Sequence, residues 1–506
     1  MKLPQENYSL LPPSKFLALN LAAIATFAQL PLPLPLPSPS LGIPGQPQES
    51  NSLRQLKENR VCPGCNLRDA NLERTYLRGA NLRDANLEQV NLRGADLREA
   101  YLRNANLRDA TLREADLRGA DLRNARLQGT NLKDAIIDDN TLFDEKWQII
   151  WAIVNRTATP TSNLNEVDLS GANLSQIDLS NFNFEGANLE GANLANTNLQ
   201  NTNLRGVNLQ NASLSLTNLQ RANLSEANLR QAQLVNANLE GADLREANLQ
   251  GTNLQGTILR DTNLSDANLR DAQLLDADLD GVNLSNAQLQ GSKLQQTRLD
   301  GLNLGGTNFN RADLNGTNLQ DTILTEATLI EASLRDSNLD GAALSGADLR
   351  SSNLENASLR DADLRRANLS GSNLRGVNFE EADLREADLT NTSLRETLLN
   401  NANLSGANLS NLNLSETNLA GIDLSSANLT GANLSNANLR SATLQETNLI
   451  NVNLRGTDLS NADLSNANVS ATELGNALLC NTIMPDGSQS GCAESESQDS
   501  IIKKRE

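Results

Sequence analysis

The sequence predicts an all-β solenoid in which the chain turns a corner every five residues, and two observations indicate this fold class. Leucine occupies nearly every fifth position over residues 67–142 and again over residues 164–479. Proline is absent from residues 70–159 and 161–484, although the chain contains 13 prolines. Because a proline removes a donor from a hydrogen-bond ladder, such proline-free stretches are typical of a long, unbroken ladder.

A period of five excludes the regular elements. On an α-helix each step of five residues advances about 140° beyond a full turn, so the leucines would form no stripe. On a flat strand the side chains alternate, and successive leucines would point to opposite faces. The chain must therefore turn within every repeat. Four corners close a square coil of about twenty residues, and coils stack about 4.8 Å apart.

The residues around each leucine complete a motif. A small residue, mostly alanine, lies two positions before the leucine and shares its inward side, while the other positions are polar. The sequence resembles the pentapeptide repeat family, whose motif A-(D/N)-L-x-x is written here at residues 95–99 (ADLRE) and 432–436 (ANLSN). The resemblance implies a right-handed quadrilateral parallel β-helix. It also implies no shared active site, because the repeating residues build the scaffold.

Changes in composition and phase divide the chain into six segments. The two repeat blocks are separated by an insertion that shifts the leucine phase, since Leu142 and Leu164 are 22 residues apart. A solenoid grows in one dimension, so the two blocks need not be globular domains. We predict a signal peptide at 1–28, a Pro-rich and polar linker at 29–61, the first block at 62–142, a helical insertion at 143–163, the second block at 164–484 and a polar tail at 485–506.

The insertion contains the only two tryptophans of the chain. Trp147, Ile150, Trp151 and Val154 are spaced i, i+3, i+4 and i+7, which predicts one short α-helix with an apolar face. That face has two interpretations. It covers the open end of the first block or joins the two blocks, or it forms an exposed aromatic patch for a protein partner.

The N-terminus has the features of an export signal. Lys2 and Lys15 precede an uncharged run over residues 16–27, which is too short to span a bilayer, and residues 26–28 provide a small-x-small cleavage site. We expect export to the periplasm, the thylakoid lumen or the extracellular space. The alternatives are an uncleaved membrane anchor, which would add a membrane contact, and a cytoplasmic protein. Residues 30–39 alternate leucine and proline and predict an extended tether.

The four cysteines flank the repeats. Cys62 and Cys65 precede the first leucines, and Cys480 and Cys492 lie at the other end. A shared zinc site would need side chains that the stacked coils hold far apart, and a thioredoxin-type dithiol would need a strand-helix context. We expect two local disulfides in an exported protein.

Catalytic chemistry has few candidates. The chain has no histidine, which removes the commonest general base and most metal sites. Paired acids such as Asp276 and Asp278 occupy outward repeat positions, without a cleft to shift their pKa. We therefore expect no catalytic residues, cofactor, metal or small-molecule substrate.

Charge differs between the blocks. Residues 66–142 contain 13 basic and 13 acidic side chains, whereas residues 164–484 contain 19 basic and 38 acidic ones. Arg78, Arg98 and Arg118 should stack in one column, where neighbouring carboxylates favour an ion-pair lattice over an anion-binding strip. The acidic balance and only 12 aromatic residues argue against nucleic-acid binding.

Two functions fit these features. The first is an exported, non-enzymatic scaffold or protein-interaction rod with an unidentified protein partner. The second is an acidic DNA mimic that binds DNA gyrase or another DNA-binding protein. It follows from the resemblance, because some pentapeptide repeat proteins mimic DNA and bind gyrase, and the long block here is acidic. The predicted export and the polar tail favour the first function.

Overall fold

The computed structural model describes residues 51–492. The chain forms a right-handed quadrilateral β-helix, which confirms the predicted fold class. Instead of long strands, isolated parallel bridges join residues on neighbouring coils. The predicted signal peptide, the leucine-proline tether and the tail beyond residue 492 lie outside the described residues. Three helices interrupt or precede the coils: α1 (Asn51–Asn59), α2 (Glu145–Val154) and α3 (Ala471–Leu474).

Each coil closes in twenty residues. The bridges pair positions that are twenty apart, as in Asn91 with Thr111 and Asn208 with Asn228. Most leucine amides of the repeats donate to the carbonyl 19 residues later, and Leu92 N lies 2.9 Å from Thr111 O. The ladder is therefore one residue wide on each face, and it repeats along both blocks.

A tight turn forms every corner. Ala80 N donates to Leu77 O over 3.0 Å, and the turn residue Gly79 has a φ of 67°. This is the left-handed conformation that a type II turn needs at its third residue. Glycine adopts it freely, and Asn and Asp tolerate it best among the other residues, as Asp84 does with a φ of 60°. The polar position two residues after each leucine is explained by this requirement.

The core consists of the leucines and the small residues that precede them. Leu97 and Ala95 are both fully buried, and each buried leucine contributes roughly 1.5–3 kcal/mol to folding. Where threonine replaces the alanine, its hydroxyl bonds to a backbone carbonyl, as Thr197 Oγ1 does to Leu174 O over 2.7 Å. The inward threonines are thus satisfied inside the core.

Helix α1 corrects the predicted linker. Residues 51–59 were predicted to belong to the polar part of the linker, but they form a helix whose Leu56 is fully buried and whose Leu53 packs against the core. Without a cap, the first coil would expose its leucine-lined interior to solvent, which is unfavourable. Helix α1 covers that interior. The short polar helix and its two leucines were missed because they do not follow the five-residue repeat.

A backbone hydrogen bond connects the two blocks across the insertion. Gly129 N donates to Gly171 O over 2.7 Å, so this bond spans 42 residues in place of the usual 19. The additional residues include α2, which lies against the end of the first block. In residues 51–492 no helix is long and apolar enough to cross a membrane.

The leucine ladder of the second block is interrupted at several places within the described residues, and single leucine amides such as those of Leu374 and Leu454 also lack the bond. Within the described residues, the amides of Leu279 and Leu284 have no carbonyl acceptor on the next coil, and neither do those of Leu394 and Leu399. The two interruptions that span neighbouring repeats, at 279–284 and 394–399, each adjoin an unusual residue in the small inward position. Across residues 167–482 only Leu302 and Leu412 place a leucine there.

A leucine in this position explains the interruption. The position elsewhere holds mostly alanine, threonine or serine, and overpacking a core pushes its surroundings apart. Leu302 stacks twenty residues after Val282, which is itself larger than alanine, so two bulky side chains meet in adjacent coils. The neighbouring bridges, Asp278 with Arg298 and Asn283 with Asn303, are both missing from the series here.

Replacing Leu302 by alanine should restore the ladder. We expect amide hydrogen exchange at Leu279 and Leu284 to slow by about tenfold in L302A, as new coil-to-coil bonds form. The measurement is native-state hydrogen exchange followed by mass spectrometry. As a control, Leu304→Ala removes a core leucine and should accelerate exchange. Unchanged exchange in L302A would show that Leu302 does not separate the coils.

Candidate interaction surfaces

The outward faces carry ordered columns of asparagine. Asn208 Oδ1 accepts a bond from Gln210 N over 3.2 Å, while its Nδ2 donates to Asn188 Oδ1 over 3.0 Å. Asn228 continues the column by donating to Asn208 Oδ1, also over 3.0 Å. Each carboxamide thus ties its own turn and the adjacent coil, and the side chains are fixed before any partner binds.

The first block carries ion pairs along its faces. Arg98 bonds to Asp96 over 2.7 Å, Arg118 to Asp116 over 2.6 Å, and Arg78 to Glu99 over 2.6 Å. The arginine columns are therefore neutralised by neighbouring carboxylates, and the structure favours the ion-pair lattice over an anion-binding strip.

These pairs shift the acidity of the carboxyl groups. Asp121 accepts from Arg123 Nη2 over 2.8 Å and from Arg123 Nε over 2.9 Å. These hydrogen bonds lower the pKa of Asp121 below its ordinary value, and the nearby positive charges of Arg123 and Arg103 act in the same direction. Partial burial opposes the shift, but the arginine bonds outweigh it.

The four apolar residues predicted for helix α2 differ in burial. Trp147, Ile150 and Val154 are buried, with 5%, 1% and 6% of their surfaces exposed. Trp151 is only half-buried, and its indole Nε1 donates to Ala135 O over 2.8 Å. Three of the four side chains therefore lie against the repeats, while the fourth keeps part of its ring accessible.

Polar residues outside the predicted apolar face also hold α2 in place. Lys146 Nζ bonds to Asp168 Oδ2 over 3.0 Å and to Ser170 Oγ over 2.7 Å, which connects the helix to the second block. Asn155 Oδ1 accepts from Asp134 N over 2.7 Å and connects the other end of the helix to the first block. These residues follow no repeat, so the spacing gave no signal for them.

The cysteines come together in two local pairs. Cys62 and Cys65 are bonded, with a Cα–Cα distance of 5.4 Å, and Cys480 and Cys492 are bonded with a Cα–Cα distance of 4.2 Å. The first pair lies beside α1, where Cys62 is fully buried. Among residues 51–492, no cluster of His, Cys, Asp or Glu side chains could hold a metal ion.

The geometry defines a class of protein, a parallel β-helix whose outward side chains stand in fixed columns. The family described as "Pentapeptide repeats" matches residues 65–138, 162–440 and 442–481. The chain therefore belongs to the pentapeptide repeat family.

Several solved structures are similar to the chain. HetL, a pentapeptide repeat protein involved in heterocyst differentiation regulation from the cyanobacterium Nostoc sp. strain PCC 7120, is 34% identical over 54% of this chain and 92% of HetL, with a TM-score of 0.19. A pentapeptide repeat protein from the Arabidopsis thaliana thylakoid lumen is 32% identical, and the match covers 24% of this chain and 66% of the Arabidopsis chain, with a TM-score of 0.12. Full-length QnrB1, a plasmid-mediated fluoroquinolone resistance protein, is 18% identical over 40% of this chain and 96% of its own, with a TM-score of 0.28. No match to a curated protein is found.

The Asp121 pair should give the protein a specific acid sensitivity. Asp121→Asn keeps an oxygen acceptor for Arg123 N but loses the charge, and it should cost about 0.2–1 kcal/mol at neutral pH. Because the pKa of Asp121 is lowered by folding, this contribution exists above about pH 4, the unfolded value, and disappears as pH falls through the folded value.

Chemical denaturation at several pH values measures this difference. The gap between the original protein and D121N should close in acid. Asp84→Asn is the matched control, since Asp84 accepts a bond from Asn104 Nδ2 but has no ion-pair partner among the described residues, and it should change little. A gap of the same size in acid as at neutral pH would contradict the ion-pair account.

Proposed function

We propose that the chain is a non-enzymatic scaffold that binds a protein partner through its outward columns and that it works outside the cytoplasm. The observation that carries the proposal is the fixed arrangement of these side chains. Asn188, Asn208 and Asn228 are bonded to one another over 3.0 Å in register, so their conformations are set before binding. A surface with little side-chain freedom to lose binds at a lower entropic cost.

The repeat architecture supports this function. Pentapeptide repeat proteins are generally structural or interaction proteins, and the coils here present flat faces of polar side chains. The first block carries 13 basic and 13 acidic side chains, many of them in ion pairs, so it adds polar contacts rather than a strong field.

Two features support export. The uncharged run at residues 16–27 and the small residues after it fit a cleavable signal. The local pairs of Cys62 with Cys65 and of Cys480 with Cys492 fit an oxidising compartment, because disulfides persist there and are rare in the cytosol.

The excess of acidic residues in the second block favours a second candidate function, in which the protein mimics DNA and binds gyrase. The second block has 38 acidic and 19 basic residues, which gives a rod with a net negative charge. Mimicry also needs cytoplasmic residence, and much of the charge is already paired. Asp243, for example, bonds to Arg245 over 2.6 Å, and Asp363 bonds to Arg365 over 2.6 Å.

The compartment and the mature N-terminus separate the two functions. We expect the mature protein to begin at Gln29 and to be recovered outside the cytoplasm. Leu21→Arg, which interrupts the uncharged run, should leave full-length precursor in the cytoplasm, whereas Leu36→Arg in the tether should not. Cell fractionation with N-terminal sequencing provides the measurement. An intact Met1 in the cytoplasm, together with salt-sensitive inhibition of gyrase, would replace the first function by the second.

A further inference from the structure

A cavity of about 380 Å³ lies beside helix α2, where the first repeat block ends. This volume falls in the range of sites that hold a bound group. The segment before the helix provides one wall and the helix provides the other. The lining residues are Ile137, Asp138, Asp139, Thr141, Phe143, Gln148, Trp151 and Ala152.

The floor of the cavity is aromatic and apolar. Phe143 is 7% exposed and belongs to the buried core, so its position is fixed by packing. Trp151 is fixed by its bond to Ala135 O. Because this bond uses the indole N–H, the ring can offer only its π system to an occupant. A π system attracts cations that lie over its face.

The rim of the cavity is acidic. Asp138 Oδ1 accepts from Gly119 N over 2.9 Å and from Thr141 Oγ1 over 3.0 Å, which fixes this carboxylate. Asn140 also bonds to the Asp138 carboxylate, whereas within residues 51–492 the Asp139 carboxylate has no hydrogen-bond or ion-pair partner. The nearby Arg118 is bonded to Asp116, so it does not occupy the rim.

We propose that this cavity binds an arginine side chain presented by a protein partner. The inference rests on the proposed scaffold function and identifies one contact of that function. A planar guanidinium can stack on the Trp151 ring while it bonds to Asp138 and Asp139, and an anion would meet two carboxylates. An arginine that fills a central pocket is also a frequent anchor of protein interfaces.

Tryptophan fluorescence provides a direct readout, since Trp147 and Trp151 are the only tryptophans. Trp147→Phe leaves Trp151 as the single reporter, and the original chain serves if the variant is unstable. The probe is N-acetyl-arginine amide, which carries the guanidinium without other charges. We expect a saturable change of the emission with this probe and none with the citrulline analogue, which has the same shape but no charge.

Matched variants assign the site. Asp139→Asn should weaken binding of the arginine probe by about tenfold, because it removes one unpaired carboxylate from the rim. Asp361→Asn, at an exposed corner far along the second block, should have no effect. Equal binding of both probes, equal affinity in D139N, or an equal loss in D361N would overturn the arginine site. Export and partner binding through the columns are measured in separate experiments. A negative result for the arginine site would therefore leave the proposed scaffold function untouched.

Discussion

The coil-to-coil ladder is the constraint on which the rest of the molecule depends. Each face contributes a bridge only one residue wide, so neighbouring coils stay in register only if every coil uses the same number of residues. Twenty residues meet this condition with four equal sides. The large and small inward residues keep the coils close enough to bond, and the left-handed corner residue turns the chain without a bulky side chain inside.

The outward columns are a direct consequence of that register. A residue on one coil lies over the residue twenty positions away, so a repeated asparagine becomes a bonded column and alternating charges become ion pairs. Asn208 illustrates the first case and Arg98 with Asp96 illustrates the second. The surface is therefore built by the same repeat that builds the core, which is why a scaffold function follows naturally from the fold.

The sequence could predict the parts of the fold that repeat. Leucine spacing and missing prolines were enough to predict the square coil. The helical spacing of the apolar residues from Trp147 to Val154 indicated a helix where α2 lies. Helix α1 was not predicted, because Leu53 and Leu56 are isolated apolar residues in a polar segment and show no periodic pattern. The interruptions near Leu302 and Leu412 could not be predicted from hydrophobicity, since leucine is apolar like the alanine it replaces and differs only in volume. The junction between Gly129 and Gly171 depends on tertiary contacts that no repeat encodes.

The candidate site could be predicted only in part. Helical spacing placed Trp147, Ile150, Trp151 and Val154 on one face, but spacing does not show which side chains meet a neighbour. The burial of three of them and the partial exposure of Trp151 depend on how α2 lies on the first block. Asp138 and Asp139 belong to the cavity because the repeat ends there and the chain leaves its regular path.

Disulfide trapping tests the twenty-residue coil most directly. Stacked positions on adjacent coils are about 4.8 Å apart, within the range that a disulfide can bridge. With cysteines at Asn208 and Asn228, we predict an intramolecular bond in high yield, identified by peptide mapping under non-reducing conditions. Cysteines at Asn208 and Asn223 lie on different faces and should not link. Efficient bonding of the second pair, or failure of the first in folded protein, would contradict the account.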